Sequence, residues 1–233
     1  MSSSHQPPSQ PETRPLPERV YAPDREPFLV VLHCDDDILV VDKPSGLLTV
    51  PGKDPALADC IAARALSLHP QSRIVHRLDM DTSGVLVLAM NPAAHRHLGL
   101  QFERRHVAKT YLARVAGRMA EDSGTVDLPL RCDWPNRPRQ MVDHQEGRSA
   151  ITHWRVLERE RHATRVQLEP VTGRSHQLRV HMCAIGHPIL GDPLYGDSES
   201  QQAAARLQLH AKSLTLHHPC GGERKTFSAP SPF

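Results

Sequence analysis

The sequence predicts an α+β domain built on a large, mixed but mostly antiparallel sheet. Three observations carry that expectation. Apolar runs of strand length outnumber stretches with helical spacing, the two kinds follow each other in irregular order, and no long linker interrupts the chain after Phe28. With 233 residues, 39% of them hydrophobic and 23% charged, the chain can bury a sizeable core. No internal repeat is visible, so 28–233 is read as a single domain.

The elements follow in order. Residues 1–27 are read as an arm, rich in Pro, Ser and Gln and too poor in apolar residues to offset its own ordering entropy; it is expected to be disordered or loosely attached. Short runs rich in branched residues and bounded by Asp, Pro or Gly predict strands at 28–32, 38–41 and 47–50. Apolar spacing predicts a helix over 56–68. The run 85–90, VLVLAM, predicts a buried strand entered through Ser83-Gly84, and 92–104 predicts a helix with Pro92 in its first turn. In the second half, alternation predicts strands at 110–115, 151–156 and 164–168. A helix is expected over 175–185, stopped by Gly186 and Pro188, and a last strand at 213–216.

Composition limits the function classes. A net charge of +2 is too even to establish nucleic-acid binding, so a local basic patch must carry it. Five cysteines, an odd number with no C-x-x-C pair, argue against a disulfide framework and for reduced thiols. The N-terminus lacks an apolar signal core and no stretch has membrane-spanning length, so a soluble cytoplasmic protein is expected. No phosphate-cradling glycine loop or dinucleotide fingerprint is present, and no cofactor is expected. His176 and His181, or His217, His218 and Cys220, form no zinc ligand set of recognised spacing, and no metal is expected.

The stretch His76-Arg77-Leu78-Asp79-Met80-Asp81-Thr82-Ser83-Gly84 reads as a polar loop running into the buried strand. Two readings stand side by side. An Asp among arginines keeps its ionised form at neutral pH, as a nucleophile or base requires. Equally, such a cluster can be an ion pair that pins the strand entrance.

HRLDMDTSGVLVLA resembles the signature of the RluA family of pseudouridine synthases, whose HRLD aspartate is essential. The resemblance continues in order through VDKPSGLL (41–48), KTYLARV (109–115), GRSHQLRVH (173–181) and GHPILGD (186–192). It implies the pseudouridine synthase catalytic fold, with helices and loops flanking a central cleft. It also implies that Asp79, Tyr111 and Arg179 are the catalytic set. Asp79 would act on the ribose, Arg179 would pair with it, and Tyr111 would stack on the uracil near the carbon 5 proton. Cys132-Asp133-Trp134-Pro135-Asn136-Arg137-Pro138 is similar to the branch that modifies both a tRNA anticodon stem-loop and 23S ribosomal RNA. The arm is too short and too polar for the extra RNA-binding domain that many relatives carry.

A stacked uridine must be extruded before its glycosidic bond is reachable. Arg77 is the candidate to fill the gap, with a phosphate contact as its competing role. RNA contact is further expected from His76, Thr82, Arg105, Lys109, Arg137, Arg139, Arg174, His176 and Gln177; the last two are also read as shaping the pocket or capping the following helix. Arg131, Arg137 and Arg139 surround Trp134 in a proline-bearing loop suited to backbone contact plus stacking. A monomer is expected. Two other classes remain open, a non-catalytic RNA-binding or ribosome-assembly factor and a nucleoside hydrolase. The hydrolase would need a second placed carboxylate, for which Asp81 lies two residues along.

Overall fold

The arrangement is built outward from one strand that is buried on both faces. In the computed structural model, which describes residues 20–233, β1 (Val30–Cys34) and β2 (Ile38–Lys43) form an antiparallel hairpin. The chain then makes α1 (Ile61–Leu68), the two-residue β3 (Arg73–Ile74) and the central β4 (Ser83–Ala89). Next come α2 (Pro92–Glu103), β5 (Ala108–Ala116) and β6 (Ser123–Asp127). A separate small hairpin, β7 (Leu130–Cys132) with β8 (Gln140–Val142), precedes β9 (Ile151–Arg159) and β10 (Ala163–Pro170). The chain closes with α3 (Gln177–Ala184), α4 (Ser198–Gln202), β11 (Leu209–His217) and β12 (Arg224–Ser228). The fold is α+β.

The main sheet runs β1-β2-β4-β11-β5-β10-β9-β6, with β12 paired to β11 and β3 to β4. Its pairs are antiparallel except β4 with β11. Every residue of β4 is buried. Val85, Val87 and Ala89 pack with Ala94 and Leu98 of α2, while Leu86 and Leu88 pack with Ile61 and Ala65 of α1. A strand covered on both faces loses the apolar–polar alternation, which explains the continuous VLVLA run. A third cluster joins β5, β10 and α3 through Ala113, Val115, Val166, Leu178 and Met182.

Some expectations change. The segment 47–50 is not a strand, although Leu47 and Thr49 are buried. Its backbone is satisfied elsewhere: the Leu48 amide donates to the Tyr21 hydroxyl, and the Leu48 and Thr49 carbonyls accept the amides of Ile61 and Ala62. The helix expected over 56–68 divides. A short turn at Pro55–Leu57 is capped by Asp54, and α1 starts only after Cys60, whose sulfur accepts the Ala63 amide at 3.4 Å. Strands β3, β6, β7, β8 and β12 and helix α4 are not among the expected elements.

Residues 1–19 of the predicted arm lie outside the described residues. Its last part, 20–27, is fastened to the body. The Tyr21 hydroxyl donates to the Asp59 carbonyl at 2.7 Å, and buried Arg64 donates to the Asp24 carbonyl at 2.8 Å. The body therefore begins ahead of residue 28. Among the described residues, no helix is long and apolar enough to cross a membrane.

The parallel seam demands glycine. Gly84 sits opposite Ala211 with φ +112°, and a Cβ there would lie 2.2 Å from the Ala211 carbonyl oxygen. Gly84→Ala therefore forces both a left-handed backbone and a backbone clash. We expect it to lower stability by about 2–4 kcal/mol. Urea unfolding should show this as a lower midpoint; an unchanged midpoint would mean that the seam tolerates a side chain.

Candidate active site

The loop between β3 and β4 carries Asp79, and an earlier segment fixes its shape. Thr49 Oγ1 donates to the Leu78 carbonyl at 2.8 Å and accepts the Leu78 amide at 3.2 Å. The Gly46 amide donates to Met80 O, and Ser45 Oγ donates to Asp81 O at 2.7 Å. The Thr82 amide closes a turn onto Asp79 O at 3.1 Å. Lys43, wholly buried at the end of β2, donates from Nζ to the carbonyls of Pro44, Leu47 and Met80 at 2.9, 2.6 and 2.8 Å. Burial draws its pKa down to about 7, opposed by the charges of Asp81 and Asp79, with Arg206 lowering it further. Three acceptors match the three N–H bonds of the ammonium form, one more than the neutral amine can supply.

On the facing side, α3 presents Arg179 and the turn before it presents His176. The Arg179 guanidinium makes a two-pronged bond to buried Asp192, Nε to Oδ2 at 2.8 Å and Nη2 to Oδ1 at 2.7 Å. Its remaining Nη1 lies 3.6 Å from Asp79 Oδ2. The Tyr195 ring packs 5.1 Å from the guanidinium carbon. Burial disfavours the charge of Arg179, but Asp192 and then Asp79 outweigh it and hold the group protonated. Asp192 in turn accepts the amides of Leu194 and Tyr195. The cation beside Asp79 is thus fixed by a second carboxylate that sequence reasoning gave no role.

His176 has φ +53° and Nε2 4.0 Å from Asp79 Oδ1, while its Nδ1 is 2.7 Å from the Tyr195 hydroxyl. Burial pushes its pKa down, against the pull of Asp79, so the ring is neutral. It makes no side-chain cap on α3. Tyr111, on β5, lines the same cleft as Asp79. Burial, then the Asp79 charge, raises its phenol pKa above the ordinary value. The hydroxyl therefore stays protonated at neutral pH.

These groups line an open cleft of about 1140 Å³. That exceeds the roughly 300–1,000 Å³ of small-molecule pockets and suits a segment of polymer. Arg77 and Arg105 are exposed on its lining, and Lys109 joins them, its pKa drawn to about 8 by burial and by Arg105. Arg174 also lines it, with Nε on the Ser149 carbonyl at 3.2 Å. Arg137 stacks 4.6 Å from the ring of exposed Trp134, between β7 and β8. Arg139 follows in the same connection and does not line the cleft.

Three residues expected to touch RNA are otherwise engaged. Thr82 is buried inside the Asp79 turn, 2% exposed. Gln177 is buried; its amide donates to Ile151 O and Thr152 Oγ1, and its oxygen accepts Thr172 Oγ1 and the Arg174 amide. Its full hydrogen-bonding capacity is spent on the scaffold. His76 stacks 4.5 Å from Phe102, and its Nε2 accepts the Val87 amide at 3.2 Å. Burial, then Lys109, drops its pKa to about 3, so it carries no charge to offer a phosphate.

Residues 37–184 match the family described as RNA pseudouridylate synthase. The chain is 53% identical over 214 residues to the dual-specificity RNA pseudouridine synthase RluA of Salmonella typhi, spanning 91% of this chain and 98% of that one. Identity to the protein of that name from Haemophilus influenzae is 48% over the same shares. Among solved structures, human RNA pseudouridylate synthase domain containing 1 superposes with TM-score 0.73 at 30% identity, covering 93% of this chain and 86% of that one. Human RNA pseudouridylate synthase domain containing 4 gives TM-score 0.70 at 28% identity, covering 87% and 88%.

Asp192→Asn breaks one side of a buried pair and should cost about 3 kcal/mol of stability. Because it frees Arg179 to shift, the variant should also lose turnover at unchanged RNA affinity. Full turnover in the folded variant would show that Asp192 does not set the position of Arg179.

Proposed function

The chain belongs to the RNA pseudouridylate synthase family, and from that premise we propose that it isomerises uridine to pseudouridine in both a tRNA anticodon stem-loop and 23S ribosomal RNA, using Asp79 as its catalytic carboxylate. The observation that carries the chemistry is the Asp79 carboxylate 3.6 Å from a guanidinium locked by Asp192, in a cleft that also holds Tyr111. Dual specificity is supported by relatives of that name matching along 91% of the chain.

The reaction breaks the bond from ribose C1′ to uracil N1 and forms one from C1′ to C5. N1 gains a proton and C5 loses one, so no oxidant, reductant or second substrate is consumed. Asp79 acts on the ribose, by attack at C1′ or by taking the 2′ proton. Arg179, 3.6 Å away, holds the carboxylate aimed. Either route consumes the negative charge of Asp79. With that charge gone and Arg179 still cationic, one of the causes that raise the Tyr111 pKa is removed. Loss of the phenolic proton to solvent is then easier, and the phenolate so formed is the form that takes the C5 proton.

Access requires the uridine to leave its stack, at about a few kcal/mol. Arg77, exposed on the cleft lining, is our candidate to occupy the vacated place. Arg105, Lys109 and Arg174 supply cations for the flanking phosphates, and the Trp134–Arg137 stack offers a platform farther out. We read the working form as a cytoplasmic monomer, since both RNAs are cytoplasmic and one chain contains the whole site.

Tritium release from RNA labelled at uridine C5 tests this directly, on an anticodon stem-loop and on a 23S fragment. Release from both is expected. Release from one alone would remove dual specificity, and tight binding without release from either would make the protein a binding factor on a synthase fold.

A further inference from the structure

Outside the cleft, the described residues contain one group of three metal-competent side chains: His33, Asp35 and His218. Their ligand atoms, two imidazole Nε2 and one carboxylate oxygen, lie within 4.8 Å of one another. Asp35 Oδ2 is 2.7 Å from His33 Nε2 and 3.0 Å from His218 Nε2. His33 belongs to β1, and His218 follows β11, so 183 residues of chain separate Asp35 from His218. None of the three lines the cleft.

The surroundings resemble the outer shell of a metal site. Ligating carboxylates and imidazoles usually have their other polar atom held by the protein. Asp35 Oδ1 accepts the amides of Asp37 and Ile38 at 2.9 and 2.8 Å, leaving Oδ2 for the cluster. His218 Nδ1 is 3.0 Å from the Cys220 carbonyl and accepts the Cys220 amide at 3.2 Å, so without an ion Nε2–H donates to Asp35; an ion on Nε2 moves the proton to Nδ1, where the Cys220 carbonyl accepts it. His218 is buried and its turn is fixed by bonds from His218 N to Glu223 O and from Gly222 N to His218 O. The His33 ring rests 5.2 Å from Phe227 on β12.

We propose that His33, Asp35 and His218 form a structural binding site for a zinc-class divalent transition ion, which clamps the end of β1 to the turn between β11 and β12. Two imidazoles and one carboxylate suit zinc, and the half-exposed His33 and Asp35 leave the fourth position to water. Tetrahedral bonds of about 2.0–2.2 Å need ligand atoms roughly 3.3 Å apart, so the 2.7 and 3.0 Å gaps to Asp35 open by roughly 0.6 and 0.3 Å, and the two imidazole nitrogens, within 4.8 Å of each other, adjust to the same spacing. Binding requires each Nε2 to give up the proton it donates to Asp35, which passes to Nδ1 or to solvent. The three residues lie outside the catalytic cleft and join β1 to the turn after β11, so the ion's role is to hold strands together.

The test uses the full chain stripped with chelator and titrated calorimetrically with zinc chloride, with melting followed in parallel. One equivalent should bind, and zinc at 100 times its Kd should raise Tm by about 5–10 °C. His33→Ala and Asp35→Asn should each weaken binding by about 100-fold and abolish the Tm rise. His144→Ala, an exposed histidine elsewhere, should change neither. The two chosen ligand variants are half-exposed, so they should fold. No stoichiometric binding to the wild type, or binding that survives both ligand variants, would overturn the site. Tritium release should be equal with and without zinc; loss of release on stripping would overturn the purely structural role.

Discussion

The proposed chemistry depends on a single guanidinium, Arg179, that serves two carboxylates unequally. It is clamped in two places by buried Asp192 and reaches Asp79 only with the nitrogen left over, at 3.6 Å. The inequality matters. Had Arg179 been gripped by Asp79 alone, consuming that charge during reaction would strand a buried cation at a cost of several kcal/mol. Asp192 keeps the cation compensated throughout, so Asp79 can change charge while its surroundings stay in place. Preorganisation of this kind puts the electrostatic cost into folding and keeps it out of the barrier.

The other half of the constraint is the buried Lys43. Its ammonium gathers carbonyls from the turn after β2 and from the Asp79 loop. Sequence segments that are far apart, 43–49, 78–82 and 176–195, therefore meet at one carboxylate. Beneath them lies the β4–β11 seam, where Gly84 lets two backbones approach too closely for any side chain. The short apolar strand that follows Asp79 and the polar loop that contains it are two parts of one device, with the strand supplying rigidity and the loop presenting the carboxylate to the cleft.

Much of this was legible in the sequence where the signal was local. The VLVLA run announces a strand buried on two faces, and Pro92 and Gly186 mark helix ends. Failures came where a residue's partner is distant. The stretch 47–50 has the composition of a strand, but Tyr21, Lys43 and the first amides of α1 take its backbone bonds. Cys60 is a poor cap by propensity, so the start of α1 was missed. Thr82 and Gln177 are polar and adjacent to the motifs, which suggested RNA contact; burial shows them serving the scaffold. Asp192 and Tyr195 sit beyond the motif that contains Arg179, and only folding reveals what they hold. The His33–Asp35–His218 group is equally invisible to spacing rules, because one of its members is 183 residues away.

The central claim is that Asp79 does the chemistry while the scaffold around it does the positioning. The most direct test is single-turnover conversion of a stem-loop RNA by Asp79→Asn, with RNA affinity measured on the same preparation. Asparagine keeps the size of the side chain but has neither the charge nor the basicity. The account predicts no detectable pseudouridine at an affinity within a few-fold of wild type. Conversion at a substantial fraction of the wild-type rate would contradict it and move the catalytic role to another group in the cleft.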